Sequence, residues 1–182
     1  MQLQNDDLKF YTRLFGVMFI VWGAVPFELS HTLFSFFILF TGPAILFSII
    51  VSFYIFHLNN RYSAFWLIVL GSAIYHAASW LFNERGWSGF VFISGVLAAW
   101  TYLSVIRILF VRNCPWKIVF GWGSLSAIAS IPFLVMTFNI EPRFLGKLWF
   151  WGLHIFLWYV TVAYAIEKMF SYHTKNEKTN SF

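Results

Sequence analysis

Long apolar runs, each about the length of a membrane-spanning helix, occupy most of this chain and are separated only by short polar turns. Hydrophobic residues make up 60% of the sequence and charged residues 10%, whereas a soluble domain carries about 25% charged residues. A chain of this composition has too few charges to cover a surface that faces water. We therefore expect an integral membrane protein whose apolar surface faces the hydrocarbon of a bilayer.

Six apolar runs approach the length of roughly 20 residues that a spanning α-helix needs. Barrel strands alternate over about ten residues, whereas these runs are longer and apolar on all sides, which favours helices. The predicted fold is an all-α, polytopic six-transmembrane-helix bundle over residues 1–170, followed by a polar cytoplasmic tail of disordered composition over residues 171–182. The predicted spans are Phe10–Pro26, Leu33–His57, Ala64–Phe82, Phe90–Val111, Ile118–Phe138 and Phe144–Met169.

Two of the predicted spans contain helix-breaking residues. Gly42-Pro43 falls in the middle of span 2, and Pro132 falls in the outer half of span 5. Each proline removes a backbone N–H and clashes with the preceding turn, so we expect kinks, formed either by packing or by a broken helix that lines a ligand site. Span 5 also carries Gly123 and Ala127, and because small residues four apart allow close approach, we expect it to be tightly enclosed.

Basic residues near the span ends indicate the orientation of the chain. With both termini in the cytoplasm, nine basic residues lie on inner segments and three on outer ones, in agreement with the positive-inside rule. The net charge of +5 therefore indicates topology and not nucleic-acid binding, because the basic residues lie at helix ends. The predicted location is a bacterial inner (plasma) membrane, with the lipid bilayer as partner; an oligomer or a larger membrane complex stays open.

Polar residues inside a span are costly and are the strongest indications of a functional site. Two spans carry such residues at helical spacing, which places each set on one face of its helix. The predicted ligand-binding residues are Ser72, His76, Ser79 and Asn83 on span 3, with His154 and Trp158 on span 6. His76 and His154 lie roughly 10–15 Å below the outer surface, so we expect the two sets to face each other across an outward-opening cavity.

This arrangement supports three interpretations of function. The first is a transporter-like, channel-like or small-molecule-binding membrane protein with a polar site between spans 3 and 6. The second is a membrane enzyme or redox subunit in which His76 and His154 bind a metal or haem, and the third is a structural subunit of a larger membrane complex. Each histidine has the simpler alternative of a structural hydrogen bond to a neighbouring helix. We expect no buried Asp or Glu in a span, which argues against a carboxylate-based proton pump.

Residues Ser72-Ala73-Ile74-Tyr75-His76 resemble the Ser-x-x-x-His element of the seven-span membrane hydrolase superfamily that includes alkaline ceramidases, hemolysin III proteins and adiponectin receptors. In that superfamily the histidine helps to hold a zinc ion that activates water. The superfamily's later aspartate and its closing His-x-x-x-His pair are missing, since the chain reads His154-Ile155-Phe156-Leu157-Trp158 there. A catalytic zinc site needs three protein ligands, and only His76 and His154 share a depth here, so no catalytic zinc site of this superfamily is predicted and no metal ligand is assigned.

The single cysteine, Cys114, excludes an intrachain disulfide. It lies near Arg112 and Lys117, in a turn that is predicted to face the cytoplasm. At such a position it is either a plain free thiol or, less commonly, a site of palmitoylation.

The predicted orientation can be tested by labelling cysteines introduced at two turns. Gly86→Cys and Pro142→Cys should each react with a membrane-impermeant thiol reagent added from outside, because both turns are predicted to face away from the cytoplasm. A reporter fused after Phe182 should be active in the cytoplasm. Labelling of positions 86 and 142 only from the inside would contradict this topology.

Overall fold

The computed structural model describes residues 10–14, 16, 42–55, 61–85, 88–132, 135 and 147–179. These residues are helical apart from a turn at 111–115, and no strand occurs among them. The all-helical class predicted from the sequence is confirmed for this part of the chain. In chain order the elements are α1 (Gly42–Ile55), α2 (Arg61–Arg85), α3 (Ser88–Phe110), α4 (Trp116–Gly123), a 3₁₀ segment (Ser124–Ser130) and α5 (Lys147–Thr179).

One stretch of the described helices is both long and apolar enough to cross a membrane, and it lies at Phe92–Phe110 in α3. Shorter apolar stretches lie at Ala44–Tyr54 in α1 and at Phe65–Tyr75 in α2. Most of the predicted span 1 and the first part of span 2 fall outside the described residues. The predicted kink at Gly42-Pro43 therefore stays a prediction, because the described part of α1 begins at Gly42.

The other described helices pack around α3. Contacts join it to α2, α4, the 3₁₀ segment and α5, and a hydrogen bond between Ser48 and Tyr102 joins it to α1. Its buried side chains recur every three or four residues, so one face of the helix is enclosed. The buried residues on this face are Ser94, Ala98, Ala99, Tyr102, Leu103 and Ile106.

Two glycines allow neighbouring helices to approach α3 closely. A Cβ atom at Gly71 of α2 would collide with Ser48 Oγ and lie 2.7 Å from Tyr102 Cε2. A Cβ atom at Gly123, where α4 ends, would lie 2.7 Å from Trp100 Cδ1. The close packing predicted for span 5 is therefore confirmed at Gly123.

The helical irregularity within predicted span 5 begins before Pro132. The α-helix ends at Gly123, and the chain continues as a 3₁₀ helix from Ser124 to Ser130, which is long for this conformation. Ser124 Oγ donates to Phe120 O at 2.7 Å, and Ser126 Oγ donates to Gly123 O at 2.8 Å. Such bonds offer carbonyls an alternative to α-helical N–H partners, and they coincide with the change of helix type.

The last helix extends through most of the segment that was predicted to be a disordered tail. Because α5 ends at Thr179, the prediction of disorder is wrong for residues 171–179. Composition misled here because extending an existing helix adds one hydrogen bond per residue, without the cost of starting a new helix. The polar residues of this segment include lysine and glutamate, which are good helix formers.

The packing of α4 on α3 can be tested at two neighbouring glycines. Gly123→Leu should lower the thermal stability of the detergent-purified protein by about 1–3 kcal/mol, the usual cost of overpacking. The matched control is Gly121→Leu on the same helix, where a Cβ atom meets nothing within 4 Å, and this variant should melt close to wild type. Equal melting temperatures for the two variants would contradict the packing.

Candidate functional site

The predicted site residues lie on two helices. Ser72, His76, Ser79 and Asn83 belong to α2, and His154 and Trp158 belong to α5. The side chains of His76, Ser79 and Asn83 lie outside the described part of the structure, so the facing of the two sets across a cavity stays a prediction. Ser72 is half-buried, and its Oγ donates to Ile68 O one turn earlier at 2.9 Å.

The imidazole of His154 is held by the 3₁₀ segment. Its Nδ1 hydrogen-bonds to the backbone carbonyl of Ala129, and because a carbonyl only accepts, Nδ1 carries the proton. In a 3₁₀ helix the donor to this carbonyl would be the N–H of residue 132. Pro132 has no N–H, so it cannot supply this 3₁₀ bond, and the His154 ring donates to the carbonyl instead.

This bond gives His154 and Pro132 a joint structural role. A carbonyl that proline leaves without its helical donor must find another partner when it lies in hydrocarbon. The simpler alternative for His154, a structural bond to a neighbouring helix, therefore accounts for its placement. No group of three His, Cys, Asp or Glu residues that could hold a metal ion occurs in the described ranges.

Trp158 joins α5 to α3. Its Nε1–H donates to Gly95 O at 2.9 Å. The same carbonyl lies 3.3 Å from Ser126 Oγ, whose single proton it shares with Gly123 O at 2.8 Å. The Gly95 carbonyl thus connects α3, α5 and the 3₁₀ segment at one point. Because the indole has a single N–H and Gly95 takes it, Trp158 can offer a ligand only its aromatic surface.

A group of hydroxyl-bearing side chains lies near Trp158, and we name it the hydroxyl cluster. Its members come from four helices: Ser48 on α1, Tyr75 on α2, Tyr102 on α3 and Tyr159 on α5. Ser48 Oγ and Tyr102 OH lie 3.2 Å apart and share a hydrogen bond. The rings of Tyr75 and Tyr159 are stacked, with their centroids 6.2 Å apart.

Phe47 forms the apolar centre of this cluster. Its ring centroid lies 5.7 Å from that of Tyr102 and 4.5 Å from that of Tyr159. The Trp158 ring also contacts Phe47, at 6.4 Å between centroids. The cluster is therefore mostly aromatic, with a few hydroxyl groups, and it lies deep in the bundle.

The hydroxyl of Tyr159 has no hydrogen-bond partner in the described part of the chain, although the residue is only 1% exposed. A buried donor without a partner costs about 1–3 kcal/mol, so each such group calls for an explanation, which an ordered water or a ligand can supply. Tyr75 and Tyr159 were not predicted as site residues, because aromatic residues are common in membrane spans. Each one directly neighbours a predicted site residue, His76 or Trp158, and this adjacency was the available signal.

A carboxylate inside predicted span 6 was also overlooked. Glu167 lies on α5 with its side chain 21% exposed, and its Oε2 accepts a hydrogen bond of 2.6 Å from Tyr11 OH. Lys168 Nζ lies 3.5 Å from the other carboxylate oxygen. The expectation was that no span holds a buried Asp or Glu, and Glu167 is a half-buried carboxylate within predicted span 6. It connects the first described residues of the chain to its last described helix.

The thiol of Cys114 is enclosed by the turn between α3 and α4. The residue is buried, and burial raises the pKa of the thiol by more than the neighbouring Arg107 lowers it. A protonated, inaccessible thiol is a poor nucleophile. This placement favours the plain thiol over palmitoylation.

No protein-family model matches the chain, and no curated protein or solved structure matches it.

The His154 ring donates to a carbonyl that Pro132 cannot reach with a backbone N–H, so we expect the effects of mutating these two residues to be coupled. His154→Phe should destabilise the protein by about 1–3 kcal/mol, because the Ala129 carbonyl loses its partner. In a Pro132→Ala background residue 132 regains its N–H, so His154→Phe should destabilise the protein less. Thermal melts of wild type, His154→Phe, Pro132→Ala and the double variant form a double-mutant cycle. An equal loss of stability from His154→Phe in both backgrounds would contradict the role assigned to His154.

Proposed function

We propose that this protein is a polytopic helical membrane protein that binds a small molecule at a polar site between α2 and α5, which correspond to predicted spans 3 and 6. The observation that carries the proposal is the buried hydroxyl of Tyr159, which has no hydrogen-bond partner among the described residues. A transporter-like or channel-like role would act through this same site. The six-span arrangement, with both termini in the cytoplasm of a bacterial inner membrane, is part of the proposal.

The distribution of polar and apolar side chains supports insertion into a membrane. Large apolar residues are exposed on the described helices, among them Phe53 at 65%, Phe65 at 59% and Ile93 at 51%. A bilayer favours this arrangement, in which apolar side chains face outward and polar groups are hydrogen-bonded inside. The serines buried inside the bundle are Ser48, Ser52, Ser94, Ser126 and Ser130.

The apolar stretch of α3 supports the same conclusion. Only 33% of its most apolar window is buried inside the protein, whereas a helix that is hydrophobic on all sides and belongs to a soluble protein is enclosed in the core. Phe92, Leu97 and Ile108 are exposed on it. Lipid chains would supply the contacts that these side chains lack.

The hydroxyl cluster has the composition of a small-molecule site. Such sites are lined mostly by hydrophobic and aromatic side chains, with a small number of placed polar groups. The unpartnered Tyr159 hydroxyl would donate to an acceptor atom of the ligand, and Phe47 and Trp158 would contact its apolar part. The ligand class that fits is a small apolar molecule with a hydrogen-bond acceptor such as a carbonyl oxygen.

The polar residues predicted on one face of span 3 are consistent with this location. Tyr75 of α2 stacks on Tyr159 of α5, and Ser72 lies one turn from Tyr75, on the same side of the helix. This stacking supports the proposal that the face of α2 that carries Ser72 and Tyr75 is directed towards α5. In this proposal Ser72 and the hydroxyl cluster belong to one site.

One observation favours a second candidate function, that of a redox or metal-dependent subunit. Histidines that bind metal or haem iron usually donate their other ring N–H to a carbonyl or carboxylate, and His154 donates through Nδ1 to Ala129 O. In that case Nε2 would be the ligating atom and His76 the candidate second ligand. An absorbance spectrum and a metal analysis of the purified protein distinguish the two functions, since a Soret band or stoichiometric zinc would favour the second.

Tyr159→Phe tests whether the buried hydroxyl has a ligand. In ligand-free protein the loss of an unpartnered hydroxyl should raise the free energy of unfolding by about 1–3 kcal/mol. The matched control is Tyr102→Phe, which should lower stability because it removes the bond to Ser48. In protein extracted gently from native membranes, mass spectrometry should find a small molecule that the wild type retains and Tyr159→Phe loses.

Two results would refute the proposal. Equal retention of the small molecule by wild type and Tyr159→Phe would show that the hydroxyl does not bind it. Release of the wild-type protein from membranes by an alkaline carbonate wash would show that the chain is not inserted, whatever the result of the ligand experiment.

A further inference from the structure

We propose that the turn between α3 and α4 binds the phosphate group of an anionic phospholipid in the cytoplasmic leaflet. The inference rests on the proposed membrane insertion and orientation, but not on the ligand site at Tyr159. We name this surface the basic turn. It consists of Arg107, Arg112, Trp116, Lys117 and Phe120.

The basic turn carries positive charge that forms no ion pair with an acidic residue in the described part of the chain. Arg107, Arg112 and Lys117 are the only charged residues between Arg85 and Glu141 in the sequence. The ion pair that occurs among the described residues, Lys168 with Glu167, involves none of them. Three cations that lie close in sequence and have no counter-ion among the described residues favour an external anion.

Arg107 is positioned by two contacts that leave most of its donors available. Its Nε donates to Cys114 O at 2.6 Å, and its Cζ lies 4.1 Å from the centroid of the Trp116 ring. A guanidinium carries five N–H donors, and this hydrogen bond uses one of them. The two terminal nitrogens can therefore bind phosphate oxygens in the bidentate geometry for which arginine is suited.

The other two basic side chains extend the positive surface around Arg107. Arg112 and Lys117 are both exposed, and the Nε of Arg112 donates to Ile108 O at 3.1 Å, which holds the side chain against α3. The helix α4 begins between them, at Trp116, without a side-chain cap. Uncapped N–H groups of a first turn add to the attraction for an anion at this place.

The apolar neighbours of these cations indicate a lipid and not a soluble anion. Trp116 and Phe120 are each 42% exposed, and their rings stack with centroids 5.6 Å apart. The membrane-length apolar stretch ends at Phe110, so the basic turn lies where the hydrocarbon would give way to headgroups. A phospholipid, with a phosphate group and adjoining acyl chains, matches cations that lie beside exposed aromatic rings.

The experiment measures lipid binding to the full-length protein in mild detergent. Native mass spectrometry gives the apparent dissociation constants of phosphatidylglycerol and of phosphatidylcholine, and wild type should prefer phosphatidylglycerol. Each basic residue near an anionic surface raises the binding affinity roughly fivefold. The double variant Arg112→Gln, Lys117→Gln should therefore bind phosphatidylglycerol about 25-fold more weakly. Its melting temperature should not change, because both side chains are exposed.

Arg13→Gln is the matched control. It removes an exposed positive charge that is also predicted to lie on the cytoplasmic side, but at a different helix, and it should bind phosphatidylglycerol like wild type. Unchanged affinity in the double variant, an equal loss in Arg13→Gln, or equal binding of the two lipids by wild type would overturn the inference. Displacement of phosphatidylglycerol by an equal concentration of inorganic phosphate would also overturn it, because the site would then bind free phosphate.

The failure of this inference is distinguishable from the failure of the proposed function. A protein that leaves the membrane in an alkaline carbonate wash refutes membrane insertion and this inference together. A protein that stays inserted but shows no preference for phosphatidylglycerol refutes only the lipid site at the basic turn.

Discussion

The Gly95 carbonyl oxygen accepts the N–H of Trp158 and shares the single Ser126 hydroxyl proton with Gly123 O, and this one acceptor joins three helical elements. In hydrocarbon, apolar side chains gain little by exchanging lipid for one another, so helix association depends on hydrogen bonds and close packing. Both occur around α3, where Gly71 and Gly123 allow neighbouring elements to approach it closely. The apolar residues are then left to cover the outside of the bundle, which is the arrangement that lipid requires.

Polar residues in the predicted spans have two kinds of role here, and they differ in whether the fold satisfies their hydrogen bonds. His154 has a structural bond to make, since Pro132 leaves the Ala129 carbonyl without its 3₁₀ donor. Tyr159 has no such bond within the described residues, yet it is fully buried. A buried polar group that the fold does not satisfy is therefore a better indication of a ligand than a polar group that the fold itself needs.

Much of the helical class and of the extent of one helix could be predicted from the sequence, but less of the candidate site could. The predicted span Phe90–Val111 corresponds closely to α3 at Ser88–Phe110, because a long apolar run must satisfy its backbone hydrogen bonds within itself. The tail was mispredicted because helix propagation from α5 outweighs local composition. Glu167 was overlooked although it lies within predicted span 6, and its hydrogen bond from Tyr11, at the other end of the chain, could not be predicted from a local stretch of sequence.

The sequence by itself determined that the described chain is helical, that its helices are apolar, and where its charges lie along them. These properties depend on hydrophobicity and backbone bonding within short stretches of chain. The tertiary structure alone decided which polar groups find partners: His154 with Ala129, Tyr102 with Ser48, and none for Tyr159 within the described residues. Such pairings depend on which helices are neighbours and on how each is rotated about its axis, and no local stretch of sequence specifies either one.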